Sequence, residues 1–224
     1  MFAETYAKYY NLLNSDKPYK KEINFVCKWA EKPKSILDIG CGTANYWKYF
    51  PSHTLIIGME ESKDMIDNSK KYKDRIICTD IMDLFSPELY RDKYPLHPRF
   101  DCATALFDVI NYIPQHNWWK RIPLKKGGHF IFDVWDKKKA DRDGFKVTVK
   151  RKGGVTRVIT PDLHRDNKIQ LLIYISDKYY EVVEQHVMYV YSEADIKRFC
   201  GKQFKIVDKR ETKTWQVFYK LERL

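Results

Sequence analysis

Short apolar runs alternate with amphipathic stretches along the first two thirds of the chain, and that alternation predicts strand, helix, strand, helix. The run 35–39 (Ser-Ile-Leu-Asp-Ile) leads directly into Gly40-Cys41-Gly42, the pattern of a buried parallel strand ending in a tight turn. A helix is expected from about Asn45. A second strand is predicted over 54–60, then a helix over 62–71 capped by Ser62. Further strands are predicted over 75–79, 100–106 and 129–134, the last announced by a turn at Gly127-Gly128. Before all of these, 6–13 and 18–29 read as helices, because Ile23, Val26, Cys27 and Ala30 recur at helical spacing after Pro18. Strands separated by helices imply an α/β fold with a doubly wound, mostly parallel sheet of Rossmann-like type.

From Phe145 onward the pattern becomes strand alternation, over 155–159, 169–175 and 180–191, with turn signals at Gly153-Gly154 and Asp166-Asn167. This predicts an antiparallel β insertion after the fifth strand. A helix over 192–200 ending at Gly201, then strands over 204–207 and 215–221, would complete the main sheet. The expected organisation is one domain over 1–224, with 1–142 and 192–224 forming the core and 143–191 a lid.

Composition narrows the classes. A chain of 224 residues with 44% hydrophobic content can bury one sizeable core. It holds no apolar stretch long enough to cross a bilayer and no secretory pattern at its start, so no membrane partner is expected. Five scattered cysteines give neither a disulfide framework nor a zinc pattern, so a reducing cytoplasm is expected and no metal. The net charge of +11 is spread in clusters such as Lys20-Lys21 and Lys137-Lys138-Lys139, which reads as a solvated surface. A monomer or homodimer is expected.

The candidate chemistry sits at strand ends. Gly40 and Gly42 allow backbone to approach a ligand at the carboxyl edge of a parallel sheet, where ligands bind. The turn lacks the third glycine of the dinucleotide fingerprint, Asn45 standing there, which argues against NAD. Glu60 ends the next strand and suits both ribose hydroxyls of an adenosine. Asp80 follows the third strand and could accept from an adenine amino group, with Ile81 and Met82 against the ring. Taken alone, Asp38 and Asp80 have bland readings as caps, and Glu60 as an exposed helix-leading acid. Asp38, Glu60 and Asp80 together, on successive strand ends, point to one adenosyl ligand.

The segments Ile36-Leu37-Asp38-Ile39-Gly40-Cys41-Gly42-Thr43-Ala44, Gly58-Met59-Glu60-Glu61-Ser62, Cys78-Thr79-Asp80-Ile81-Met82 and Leu124-Lys125-Lys126-Gly127-Gly128 resemble the successive motifs of class I S-adenosylmethionine-dependent methyltransferases. The resemblance implies S-adenosyl-L-methionine as cofactor. It places Asp38 with the Gly40-Cys41-Gly42 turn by the methionine part, Glu60 and Glu61 at the ribose, and Asp80 and Ile81 at the adenine. Leu106-Phe107 would lie beneath the ring and Tyr19 over the cofactor. Ala44 departs from the glycine common there, and 114–123 is short for the usual helix.

Softer motifs, Phe107-Asp108-Val109-Ile110-Asn111-Tyr112 and Phe132-Asp133-Val134-Trp135, resemble small-molecule enzymes including amino-sugar N-methyltransferases acting on nucleotide-linked sugars. The implied acceptor is an N or O group on a small molecule, such as a nucleotide sugar or glycan precursor. Methyl transfer needs alignment and exclusion of water, with a general base useful for a hydroxyl. Asp108, Asp133 and His186 are the catalytic candidates, with His164 a further base candidate. Tyr9, Tyr10, Asn111, Trp135 and His164 are candidates for the acceptor pocket.

Three rival readings remain at this point. An RNA- or DNA-methylating enzyme would suit the charge, but Leu106-Phe107-Asp108 stands where a base-amino methyltransferase resemblance would require Asn/Asp-Pro-Pro-aromatic, and no nucleic-acid-binding module is evident. A non-catalytic S-adenosylmethionine-binding partner subunit is the second and a dehydrogenase the third.

Overall fold

The computed structural model describes residues 4–81, 99–114, 117–165, 167–213 and 215–224, with 4, 5, 117, 118 and 163–165 described by backbone alone. Two helices, α1 (Glu4–Leu13) and α2 (Tyr19–Trp29), precede the first strand, β1 (Ser35–Ile39). Then follow β2 (Leu55–Glu60), α3 (Lys63–Asp67), β3 (Ile76–Cys78), β4 (Phe100–Ala105), β5 (Leu124–Trp135) and α4 (Lys137–Asp143). Four strands come next: β6 (Thr148–Lys152), β7 (Val155–Arg165), β8 (Lys168–Ser176) and β9 (Glu181–Tyr189). The chain closes with α5 (Glu193–Cys200), β10 (Phe204–Glu211) and β11 (Gln216–Arg223).

The main sheet runs β10-β11-β5-β4-β1-β2-β3, with β3, β2, β1, β4 and β5 parallel and β11 antiparallel to β5. Strand order reverses between β1 and β4, and a crevice opens at their carboxyl ends, as in other doubly wound sheets. The parallel strands are buried on both faces. Ile36, Ile56, Cys102 and Ile131 meet Ile23, Val26 and Trp29 of α2 on one side. Leu37, Ile57, Ala103 and Phe130 meet Trp119 and residues of α5 on the other. Ser192 starts α5 with a reciprocal capping box to Asp195, which satisfies two backbone donors at that helix end.

The second sheet, β6-β7-β8-β9, is wholly antiparallel, as its alternation predicted. Ile169, Leu171, Ile173 and Ile175 point inward from β8, while Gln170, Leu172, Tyr174 and Ser176 are half-exposed. Ile173 and Ile175 join Tyr6 and Leu13 of α1, so the opening helix is clasped by the inserted sheet.

Two expectations fail locally. No α-helix starts at Asn45; the segment makes a 3-10 turn at Trp47–Tyr49 instead. Tyr46 and Trp47 are drawn inward to hydrogen-bond Asp38, and a regular helix there would carry those donors away. Gly127-Gly128 is not a turn before the fifth strand either, because β5 already begins at Leu124. The glycines sit where the register with β4 shifts between Phe100 and Cys102, and a Cβ on Gly128 would meet the Lys125 carbonyl at 2.9 Å. Among the described residues, no helix is long and apolar enough to cross a membrane.

Candidate active site

A cavity of about 920 Å³ opens at the carboxyl edge of the main sheet and continues beneath the inserted sheet. One half is lined by Gly40, Cys41 and Gly42 after β1, Glu60, Glu61 and Ser62 after β2, and Asp80 and Ile81 after β3. The other is lined by Tyr6 and Tyr10 of α1, Arg157 of β7, His186 of β9, and Tyr112 and Trp135. Tyr19, Leu106, Phe107 and Asp108 also line it. Such a volume suits a small-molecule site holding more than one group.

The glycine turn has a steric cause. Gly40 has φ +65° and a Cβ there would lie 2.6 Å from a Val109 methyl, so the turns after β1 and β4 interlock only without a side chain. Glu60 then staples two loops: Oε2 accepts from the Gly42 N–H at 2.8 Å and Oε1 from the Ser62 N–H at 2.9 Å. Burial raises the Glu60 carboxyl, against the pull of those two bonds. A carboxylate has about four acceptor positions, so each oxygen retains capacity toward the cavity.

Asp38 corrects the expectation of three acids in one groove. It is fully buried below the cavity and does not line it. Tyr46 Oη, Trp47 Nε1 and Thr104 Oγ1 donate to its carboxylate at 2.7, 2.6 and 2.7 Å. Burial pushes this carboxyl up to about 6, opposed by all three bonds. Its role is to tie the turn after β1 to β4. Glu60 and Asp80 do share the cavity.

Asp133 is likewise not a cavity group. It is fully buried, and its two oxygens accept from the backbone N–H groups of Phe107 and Asp108 at 2.7 and 3.0 Å, with Gln216 Nε2 at 2.8 Å. Phe107 and Asp108 have φ of +67° and +70°, a left-handed pair without glycine. Asp133 holds that strained turn and so presents Asp108 to the cavity. Burial first, then the neighbouring Asp108 charge, raises the Asp133 carboxyl. Asp108 accepts from Trp135 Nε1 at 2.7 Å, and burial raises it too, opposed chiefly by Lys17 and Trp135.

The aromatic candidates divide. Tyr6 and Tyr10, one turn apart on α1, face the cavity together, whereas Tyr9 points elsewhere and donates to Asp177 beyond β8. Tyr9 is therefore not in the pocket. Tyr19 packs edge-on against Phe107 at 5.3 Å between ring centres. Asn111 is fully buried and gives Nδ2 to the Tyr189 carbonyl at 2.5 Å, so it anchors β9 instead of lining the pocket. The His164 side chain lies outside the described residues, as does Met82.

His186 sits in the cavity wall as expected of a catalytic candidate, with unforeseen partners: Tyr112 Oη lies 3.1 Å from Nδ1 and Glu184 Oε2 3.0 Å from Nε2. Sequence reasoning also missed Tyr6, Tyr112 and Arg157. The two-residue spacing of Glu184 and His186 on a strand was the available signal, since it sets both on one face.

No protein-family model matches the chain, and no curated protein matches it by sequence. Solved structures match over nearly its whole length. An S-adenosylmethionine-dependent methyltransferase from Clostridium acetobutylicum ATCC 824 is 22% identical, with a TM-score of 0.75 and 98% of each chain covered. The sugar N-methyltransferase KedS8 from Streptoalloteichus sp ATCC 53650 is 17% identical, with a TM-score of 0.72, covering 100% of this chain and 95% of its own. CalS10, an amino pentose methyltransferase from Micromonospora echinaspora, is 15% identical, with a TM-score of 0.69, covering 100% and 98%. Across nearly its whole length, the chain has the fold of these S-adenosylmethionine-dependent methyltransferases.

Proposed function

We propose that the protein is an S-adenosylmethionine-dependent methyltransferase whose acceptor is an N or O group of a small anionic molecule, a nucleotide-linked sugar or similar glycan precursor. The observation that carries this reading is the continuity of the cavity. Its Glu60–Asp80 half suits an adenosyl group, and the half under the inserted sheet joins it beside Tyr19, Phe107 and Asp108. Glu60 would accept from the ribose hydroxyls, Asp80 and Ile81 would meet the adenine, and the Gly40-Cys41-Gly42 turn would pass along the methionine part.

When bound, the cofactor supplies a methyl group already activated on a sulfonium. The chain's own contribution is then alignment and exclusion of water. Tyr19 and Phe107 pack edge-on in the cavity lining, and the inserted sheet covers the acceptor side. Arg157 supports an anionic acceptor: it lines the cavity, gives one N–H to Tyr6 Oη at 3.0 Å, and has a buried Nε with no partner among the described residues. Lys17 adds a second cation to the lining. KedS8 and CalS10 are described as sugar and amino pentose methyltransferases, which supports the same acceptor class. A cavity covered by a sheet favours a small acceptor over a nucleic-acid duplex.

Incubation with methyl donor and a panel of nucleotide-linked amino and hydroxyl sugars, followed by mass spectrometry, should show a methyl-mass gain on at least one member. Donor binding by calorimetry without any such gain across the panel would reject the acceptor class and favour a non-catalytic binding subunit.

A further inference from the structure

Tyr112, His186 and Glu184 form a continuous hydrogen-bonded chain that begins at the cavity wall and ends in the interior. Tyr112 closes the 3-10 turn Val109–Tyr112 after β4, and its Oη is 3.1 Å from His186 Nδ1. His186 Nε2 is 3.0 Å from Glu184 Oε2, and these two side chains are only 2% and 7% exposed. The ring planes of Tyr6 and Tyr112 stand nearly perpendicular to the imidazole, at 85° and 70°, which fixes its orientation. Strand alternation puts Glu184 and His186 on the inward face of β9, so the fold aims them at the turn carrying Tyr112.

A carboxylate oxygen accepts from an N–H, so a proton relay along this chain requires His186 to carry its proton on Nε2 toward Glu184 and to leave Nδ1 to accept from the Tyr112 hydroxyl. Tyr112 would then have its proton committed inward, with its side chain in the cavity wall.

We propose that Tyr112 takes a proton from the acceptor and that His186, positioned by Glu184, receives the proton Tyr112 gives up, which suits the site to an amine acceptor. This rests on the methyl-transfer reading. The step balances as follows. An N–H bond of the bound ammonium breaks and its proton forms an O–H bond on Tyr112. The former Tyr112 proton forms the N–H bond at His186 Nδ1, and the imidazolium is matched by the Glu184 carboxylate. The freed nitrogen lone pair forms the N–CH3 bond as the S–CH3 pair of electrons leaves with sulfur. An ammonium surrenders its proton to a neutral side-chain base far more readily than a sugar hydroxyl does, which selects nitrogen over oxygen. Among the described residues, the titratable and charged groups around the chain are Tyr6 and Tyr10 from α1, Asp108 from the turn after β4, Arg157 from β7 and Glu184 itself.

Two measurements test this. The first needs no acceptor: nitrogen NMR of 15N-histidine-labelled protein saturated with S-adenosylhomocysteine, with the His186 signal assigned by its loss in His186→Gln. An Nε2–H tautomer, with Nδ1 shifted in Tyr112→Phe, is expected, and an Nδ1–H tautomer overturns the relay. The second follows kcat against pH for the amino sugar that gains methyl mass in the panel. At pH 7 Tyr112→Phe and His186→Gln should each lose about 100-fold or more in kcat, the usual scale of proton-transfer assistance, and recover part of it as pH rises. Equal kcat in Tyr112→Phe, or methyl gain on hydroxyl sugars alone, overturns the relay while leaving methyl transfer standing. Loss of donor binding in the unaltered protein would instead strike the methyl-transfer reading itself. Unchanged melting temperatures separate lost chemistry from lost fold.

Discussion

The two halves of the cavity are built on opposite plans. In the half proposed for the cofactor, the glycine turn, Glu60, Glu61 and Asp80 come from the ends of three adjacent parallel strands, and Glu60 is pinned by backbone N–H groups of Gly42 and Ser62. In the acceptor half, Tyr6, Tyr112, Arg157 and His186 arrive from α1, the turn after β4, β7 and β9. Strand ends carry one half as a property of the sheet itself. The other half exists only when the inserted sheet docks on α1 and the core. Cofactor binding should therefore tolerate damage to the lid, whereas acceptor recognition should depend on both.

Substitutions can break this contrast. The largest effect is expected from Glu60→Ala, which removes the ribose acceptor and also strands the Gly42 and Ser62 N–H groups; the donor's Kd should rise by about 100-fold or more in calorimetry. An unchanged Kd would remove Glu60 from the cofactor site. Asp133→Ala should lower stability by about 3 kcal/mol, or roughly 6–12 °C in Tm, because two part-buried N–H groups of a left-handed turn lose their acceptor. Activity should fall with it, since Asp108 and Phe107 lose their placement in both halves.

The Asp38 carboxyl gives a pH signature confined to the adenosyl side. Its folded value of about 6 lies above the ordinary 3.8, so the folded state holds the proton more tightly and ionisation costs stability. Stability from this group is full below about pH 4 and is lost as pH rises through 6, by about 3 kcal/mol in all. Urea unfolding of the native protein and of Asp38→Asn at pH 4 and pH 7 should reveal that difference; parallel pH dependence in both proteins would contradict it. On the acceptor side, Arg157→Met should raise KM for an anionic acceptor by about 10- to 100-fold while sparing donor Kd. Equal KM for the variant would deny Arg157 its anion. Smallest of all, Tyr9→Phe should cost under about 1 kcal/mol and leave KM untouched, because its hydroxyl serves the β8–β9 connection.

Much of the strand-end half of the cavity was legible in the sequence. Parallel strands broadcast themselves as apolar runs, and ligands sit at their carboxyl ends, so pattern alone puts Gly40, Gly42, Glu60 and Asp80 at the sheet edge, where they line the cavity. Asp38 and Asp133 were placed on the right strands but assigned the wrong direction. Period-2 alternation tells which residues share a face, not whether a buried acid meets ligand or protein donors, and here Trp47, Thr104 and two left-handed N–H groups claim them. Tyr9 fell outside the pocket for a comparable reason. Neighbours on a helix diverge by about a quarter turn, and only docking of α1 decides which one faces inward.

Local chemistry in the chain thus settled the succession of the parallel strands, the antiparallel insertion, the glycine turn and the acids at the ends of β2 and β3. Those features rest on interactions between residues close in sequence or on the requirement that apolar runs be buried. Tertiary structure alone decided that Glu184, His186 and Tyr112 meet, that Arg157 reaches the cavity from β7, and that Asp38 turns away from it. Each of these depends on a contact across 65 or more residues, or on which donors happen to face a buried carboxylate, and neither periodicity nor spacing encodes such a meeting.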